Sequence, residues 1–387
     1  MSIATGPKIA TNGLSFSYDM YNTGRSWMGK PTTNLISISN WNNSLSGWAG
    51  WFWISGTTTM DPVNVLYPGV SVLNGQVTSN GTGGPAYLDL SGLSTTLGTT
   101  YTISVWFKSS NRTCYTYGHD TTGAGTVTGN STVANGTWQK SSFVFTVVST
   151  TGAVRIHLVV NSATAGDMIY VTAPQAELGS VASSFINGTR STTQAILDST
   201  NNNIITANSL VYASDNTFTF AGGINYCSVS NLDSLIGDVT LESVVNLATA
   251  NGPHQTAICT DLNYRYGIKL LASYHGNMAA WAGFGSTDYL ISGGSIQNTG
   301  NAVISLTRTS STGIINLYLN GSLVATGTGT TGNMSSAGSG QGRIGIEYHS
   351  GSYGFNGSIF TAKAYNTALT ATEVFNNFSA LRGRYGL

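Results

Sequence analysis

The chain has four glutamates: Glu177, Glu242, Glu347 and Glu373. Retaining glycoside hydrolysis needs two carboxyls about 5 Å apart, held on neighbouring positions of one face. No Glu-X-Asp-X-Glu-like cluster occurs. Asp238 and Glu242 would share a strand face, yet at about 3.3 Å per residue they stand ~13 Å apart, too far for that mechanism. Glu373 follows Thr370 by three residues and reads as half of a capping box, in which each side chain satisfies a free backbone N–H. Glu177 closes a strand. The histidines, His119, His157, His254, His275 and His349, show no metal-ligand spacing with one another or with cysteine. These counts give no catalytic residue, no metal ligand and no cofactor.

Aromatic residues carry the stronger signal. Trp41, Trp48, Trp51 and Trp53 crowd into thirteen residues, and strand alternation puts Trp51 and Trp53 on one face. Tyr115 and Tyr117 share a strand face in the same way, beside His119 and Asp120. Flat rings stack on the apolar faces of sugars while neighbouring polar groups bond the hydroxyls. Tyr115, Tyr117, His119 and Asp120, followed by Trp51 and Trp53, are therefore the expected carbohydrate-binding residues. The competing reading makes these rings core or interface, where large aromatics bury 150–250 Å² each.

The elements that must position these groups are strands. Residues 302–308 alternate apolar and polar. Residues 314–319 do the same, break at Asn320-Gly321 and resume at Ser322; Asn-Gly is a strong signal for a type I′ hairpin turn. Residues 355–366 form another strand, leading into the helix start at Thr370. Val374, Phe378 and Leu381 then fall on one helix face, and Gly383 stands where a helix end is expected. Earlier strands are expected at 14–18, 101–108, 143–145, 154–159, 169–178, 239–245 and 266–271.

Composition agrees. Charged residues are only 8% of 387, glycine numbers 48, and the net charge is zero. Polarity supplied by hydroxyls and amides suits strands and turns more than exposed helices. Scattered Lys and Arg leave no electrostatic footprint for nucleic acid or an acidic membrane. Cys114, Cys227 and Cys259 cannot all pair within one chain and read as free, buried thiols. The N-terminus lacks a signal-peptide core, and no apolar run approaches a membrane span. Synthesis in a bacterial cytoplasm is the expectation.

Three phrases carry a resemblance. Leu317-Tyr318-Leu319-Asn320-Gly321, Phe355-Asn356-Gly357-Ser358-Ile359 and 364–374 together resemble the end of a concanavalin-A-like (laminin-G-like) domain. Residues 13–20 resemble that family's opening strand, and the text expected next arrives only at 196–203 and 217–229. A domain inserted in a loop accounts for the gap, since domain termini lie close together at the surface. The inserted text, 33–189, resembles carbohydrate-binding jelly rolls, whose last strand ends in a phrase like Gln175-Ala176-Glu177 followed by Ser184-Phe185-Ile186. The ending at 376–386 resembles the C-termini of virion structural proteins of tailed bacteriophages.

The resemblance implies an all-β chain of two β-sandwich (jelly-roll) domains, one inserted in the other, with a short C-terminal helix. Residues 1–32 and 190–387 would form the first, and 33–189 the second. It implies a non-enzymatic virion protein (a fibre, decoration or tail-associated protein) that assembles with other virion proteins, contacts host-surface glycan and forms a homo-oligomer, a trimer. The alternatives are a glycan-degrading depolymerase with an appended binding module, and a bacterial adhesin. Both resembled families commonly hold a structural calcium ion, but the acidic cluster that would build such a site is missing.

Overall fold

A computed structural model describes residues 7–23, 25–43, 48–52, 56–78, 86–93, 95–120, 126–148, 154–161, 164–213, 217–248, 254–261, 265–297, 299–338, 340–347 and 354–387. Strands dominate, with two α-helices among the described residues, Ile38–Asn43 and Ala371–Tyr385. No helix there is long and apolar enough to cross a membrane. The chain divides into two compact units. One comprises Met1–Lys30, Ser191–Ala213 and Thr217–Leu387; the other comprises Pro31–Arg190 with 214–216.

In the first unit an eight-stranded sheet and a seven-stranded sheet enclose one core. The Asn356–Tyr365 strand runs through the larger sheet and pairs antiparallel with Val239–Leu247, matching Glu242 to Lys363. It also pairs with Leu14–Asp19, with Phe16 opposite Ala364 and Tyr18 opposite Ala362. The smaller sheet runs Ile205–Asn208, Tyr226–Ser230, Gln341–Ile344, His254–Cys259, Tyr266–Tyr274, Asn277–Phe284, Asp288–Ser292. Alternation decides what faces inward: Leu241, Val245, Ile304 and Leu306 from one sheet meet Ile258, Ile268, Leu270 and Met278 from the other.

Asn320 and Gly321 both take positive φ, 49° and 76°, as a type I′ turn requires. The capping box forms: Glu373 N–H donates to Thr370 Oγ1 at 3.3 Å, and Thr370 N–H donates to Glu373 Oε2 at 2.8 Å. The helix then runs past Gly383 to Tyr385 and ends at Gly386, whose φ of 68° and N–H bond to Arg382 O close it. Gly383 is thus inside the helix rather than at its end. A left-handed glycine stops a helix, and Gly386 is the one in that conformation. Leu381 and Tyr385 pack on Val244 and Val303, on the outer side of the larger sheet.

The second unit has two five-stranded sheets. One runs Gln139–Thr146, Thr100–Lys108, Met168–Leu178, Val72–Val77, Gly56–Asp61. The other runs Trp48–Phe52, Ala86–Leu93, Val154–Val160, Cys114–Asp120, Thr126–Thr128. Val105, Phe107, Ile169, Val171, Leu158 and Val160 share a core. Where the chain enters and leaves, Thr32–Thr33 pairs with Thr189–Arg190. The phrase at 175–186 is a structural staple. Gln175 Nε2 donates to Glu177 Oε1 (2.9 Å) and Ser183 Oγ (2.9 Å), Ser183 N–H donates to Glu177 Oε1 (2.7 Å), and Ile186 N–H donates to Gln175 Oε1 (2.8 Å).

Candidate functional site

The Cys114–Asp120 strand sets Cys114, Thr116 and Gly118 inward and leaves Tyr115 and Tyr117 half-buried on its other face. Tyr117 lies opposite His157, and their ring centroids are 5.6 Å apart at 46°. His157 was not selected from the sequence, and only the cross-strand register brings it there. The backbone sets His119 opposite Arg155 and Asp120 opposite Val154; the side chains of His119, Asp120 and Trp51 lie outside the described part of the molecule. Trp51 belongs to the Trp48–Phe52 strand of the same sheet, with two strands between it and the tyrosines. Trp53 lies outside the described residues. Trp41 is core: it is 2% exposed, and its indole N–H donates to Ser71 O at 2.9 Å.

Three of the four glutamates are held in fixed networks. Glu177 is the staple described above. Glu373 caps the helix. Glu242, fully buried, accepts from Lys363 Nζ at 2.8 Å. Glu347 differs. Its Oε1 lies 3.5 Å from His254 Nδ1, and its buried Oε2 has no hydrogen-bond partner among the described residues.

Glu347 belongs to a polar cluster on the outer face of the seven-stranded sheet, which the sequence reading missed. Register sets Arg343 opposite Cys259, Cys259 opposite Lys269, and Lys269 opposite Trp281, one residue per strand. Inward positions alternate with these, so the row faces away from the core. The His254 ring lies 4.7 Å from Tyr274 and 6.0 Å from Trp281. Arg343 sits over the Tyr226 ring at 4.3 Å. Lys269 is 0% exposed. Burial pulls its pKa below the usual lysine value, and the Glu347 carboxylate opposes that shift.

The cluster is short of partners. Among the described residues, Arg343 Nε, Trp281 Nε1, Ser273 Oγ, Thr256 Oγ1 and Glu347 Oε2 are all buried without a hydrogen bond. Leaving such a group unmade costs about 1–3 kcal/mol, so five on one sheet face call for water or ligand. The one sequence signal was Lys269 inside the apolar run 266–271. The other members come from separate strands, which only register assembles.

Among the described residues no three His, Cys, Asp or Glu side chains group as a metal site. An open dent of about 270 Å³, bordered by Asn202, Asn203, Asn231 and Asn366 among others, has neither an aromatic floor nor a charged group.

Residues 221–375, within the first unit, match the profile of the concanavalin A-like lectin/glucanases superfamily. The chain thus carries a domain of that kind. No curated protein matches the chain. Solved structures similar to it include the CBM40 of the Ruminococcus gnavus IT-sialidase, at 15% identity and TM-score 0.35 over 41% of this chain and 93% of that one. Domain 4 of AbnA, a GH43 extracellular arabinanase from Geobacillus stearothermophilus, is similar at 18% identity and TM-score 0.38, over 49% and 93%. The enzymatically active domain of bacteriophage CBA120 tailspike protein 4 is similar at 17% identity and TM-score 0.30, over 38% and 22%. Likeness at these scores carries no functional weight.

Proposed function

We propose that this is a non-enzymatic, glycan-binding structural protein of a tailed-phage virion. The observation that carries the binding part is the set of five unpartnered buried polar atoms on one outer sheet face of the concanavalin A-like unit, beside Trp281, Tyr274 and Tyr226. Donors and an acceptor beside flat rings suit a sugar, whose hydroxyls both give and accept hydrogen bonds. Of the two activities in the superfamily's name, binding is favoured over hydrolysis. A glycosidase requires two carboxyls in concert. Glu347 is the only glutamate at the cluster, the other three being tied into the fold. Asp261, the stronger in effect of the two aspartates that act on Lys269, is engaged by the Ala337 N–H at 2.8 Å.

The virion assignment rests on the resemblance of residues 376–386 to phage structural C-termini. Assembly with other virion proteins, as a homo-oligomer and most simply a trimer, is supported by the low charge content, 8%, and zero net charge, which weaken the repulsion that keeps monomers apart. Light scattering that shows a monomer at high concentration would count against it.

The half-buried pair Tyr115 and Tyr117, with His157 against Tyr117, supports a second stacking surface in the inserted unit. Binding to immobilised host glycans, measured by surface plasmon resonance, tests both. Trp281→Ala with Arg343→Ala is expected to weaken binding at least tenfold in a protein that still folds. Tyr115→Ala with Tyr117→Ala is expected to remove the remainder at little cost in melting temperature. Undiminished binding in both variants, or release of reducing sugar by the wild type, would overturn the proposal.

A further inference from the structure

Where the C-terminal helix meets the larger sheet, three buried polar side chains form a group that glycan binding does not use. Lys363, Glu242 and Asn377 are 4%, 0% and 0% exposed. The two oxygens of Glu242 divide the other two residues between them. Lys363 Nζ donates to Oε1 at 2.8 Å, and Asn377 Nδ2 donates to Oε2 at 3.1 Å. The Asn377 amide is gripped elsewhere too: Nδ2 donates to Tyr365 OH at 3.1 Å, and Oδ1 accepts from Ala10 N–H at 2.7 Å.

Each contact has a chemical consequence. An amine and a carboxamide held on either side of one carboxylate are the reactants of an amide exchange with their proton carrier between them. Attack needs the amine's lone pair, and the Glu242 oxygen that Lys363 Nζ already bonds is placed to take the proton that frees it. The Ala10 N–H points at the oxygen where negative charge would build during attack on Cγ, as an oxyanion-hole donor does. Asparagine is also a poor choice for a buried helix position unless something holds it there.

We propose that Lys363 and Asn377 join in a self-catalysed isopeptide bond, with Glu242 as the general base and then the general acid. Glu242 takes a proton from the Lys363 ammonium. The free Nζ lone pair attacks Asn377 Cγ, and the carbonyl electrons move onto Oδ1 under the Ala10 N–H. Glu242 gives its proton to Nδ2, the Cγ–Nδ2 bond breaks and ammonia leaves. As the carbonyl re-forms, Glu242 takes back the surplus proton on Nζ. One C–N bond forms, one breaks, and no oxidant or reductant is needed. The product ties the last helix to the Asn356–Tyr365 strand covalently, a useful strap in a protein that bears load.

Intact-mass spectrometry of the full chain tests this. The expected wild-type mass is below the sequence mass by one ammonia, and proteolysis yields a branched peptide linking the segments of Lys363 and Asn377. Glu242→Gln, Lys363→Met and Asn377→Ala should each restore the mass expected from their sequence. The wild-type mass is decisive even if a variant fails to fold. Full sequence mass in folded wild type overturns the proposal. So does loss of ammonia without a branched peptide, which is a succinimide, and so does a bond that still forms in Glu242→Gln.

Discussion

Replacing Trp27 with alanine tests whether the N-terminal 30 residues belong energetically to the distant C-terminal sandwich. Trp27 is 2% exposed. Its ring lies 4.9 Å from Phe218 and stacks at 12° on Tyr212, 6.1 Å away, and its backbone bridges to Ile196. Truncating a buried tryptophan to alanine removes its transfer energy and leaves a cavity, about 3–5 kcal/mol together. That is about a fifth or more of the stability of a typical domain. For a unit of this size each kcal/mol moves the midpoint by roughly 2–4 °C, so the unit's transition should fall by about 6–20 °C. Calorimetry reads the midpoint, and hydrogen exchange with mass spectrometry reads the location. Amides in Val239–Leu247 and Asn301–Arg308 should exchange faster, and those in Thr100–Lys108 and Met168–Leu178 should not. A shift under roughly 3 °C, or equal acceleration in both sets, refutes the reasoning.

The thiols should be inert in the folded protein. Burial pushes Cys114 and Cys259 up to about 12 and Cys227 higher still, so a disulfide reagent at pH 8 should label none until denaturant exposes all three. Rapid labelling of the native chain would contradict this. Asp238 should give a pH signature. The Ser310 hydroxyl and N–H hold its carboxyl below the usual range, with Arg308 adding to the effect. A depressed folded pKa stabilises above the unfolded value of about 3.9 and loses that contribution as pH falls through the folded one. The stability advantage of wild type over Asp238→Asn should therefore be constant near neutral pH and shrink below about pH 4. A gap that widens in acid would show the sign to be wrong.

Local chemistry was legible in the sequence, and register was not. Asn320-Gly321 and Thr370 with Glu373 declare themselves because a turn or a cap is decided by residues within four positions. Gly383 misled because glycine tolerates a helix interior when the helix is held by packing, and Leu381 and Tyr385 hold this one on either side of it. The strands were visible from alternation, yet alternation names faces and not neighbours. Arg343, Cys259, Lys269 and Trp281 are spread over 85 residues of sequence and become a row only when four strands align. Tyr117 meets His157, and Glu242 meets Lys363, for the same reason.

The placement of charge joins these observations. The chain has 15 basic and 15 acidic residues. Among those described, Lys30, Asp167, Glu177, Arg190, Asp198, Glu242, Asp261, Lys269, Arg308, Glu347 and Lys363 are buried. A chain with this few charges would normally keep them at its surface, because an isolated buried ion is costly. Here they pin loops and elements. Arg308 donates to Gly237 O at 2.8 Å and to Thr330 O and Gly332 O at 3.1 and 2.6 Å. Asp198 gathers the N–H groups of Ser17, Thr200, Asn202 and Asn203. The exterior is left even poorer in charge than the composition states, a surface of hydroxyls, amides and backbone. Such a surface has little to repel a second copy of itself or a neutral glycan. The same economy that thins its charge therefore suits it to both contacts proposed for it.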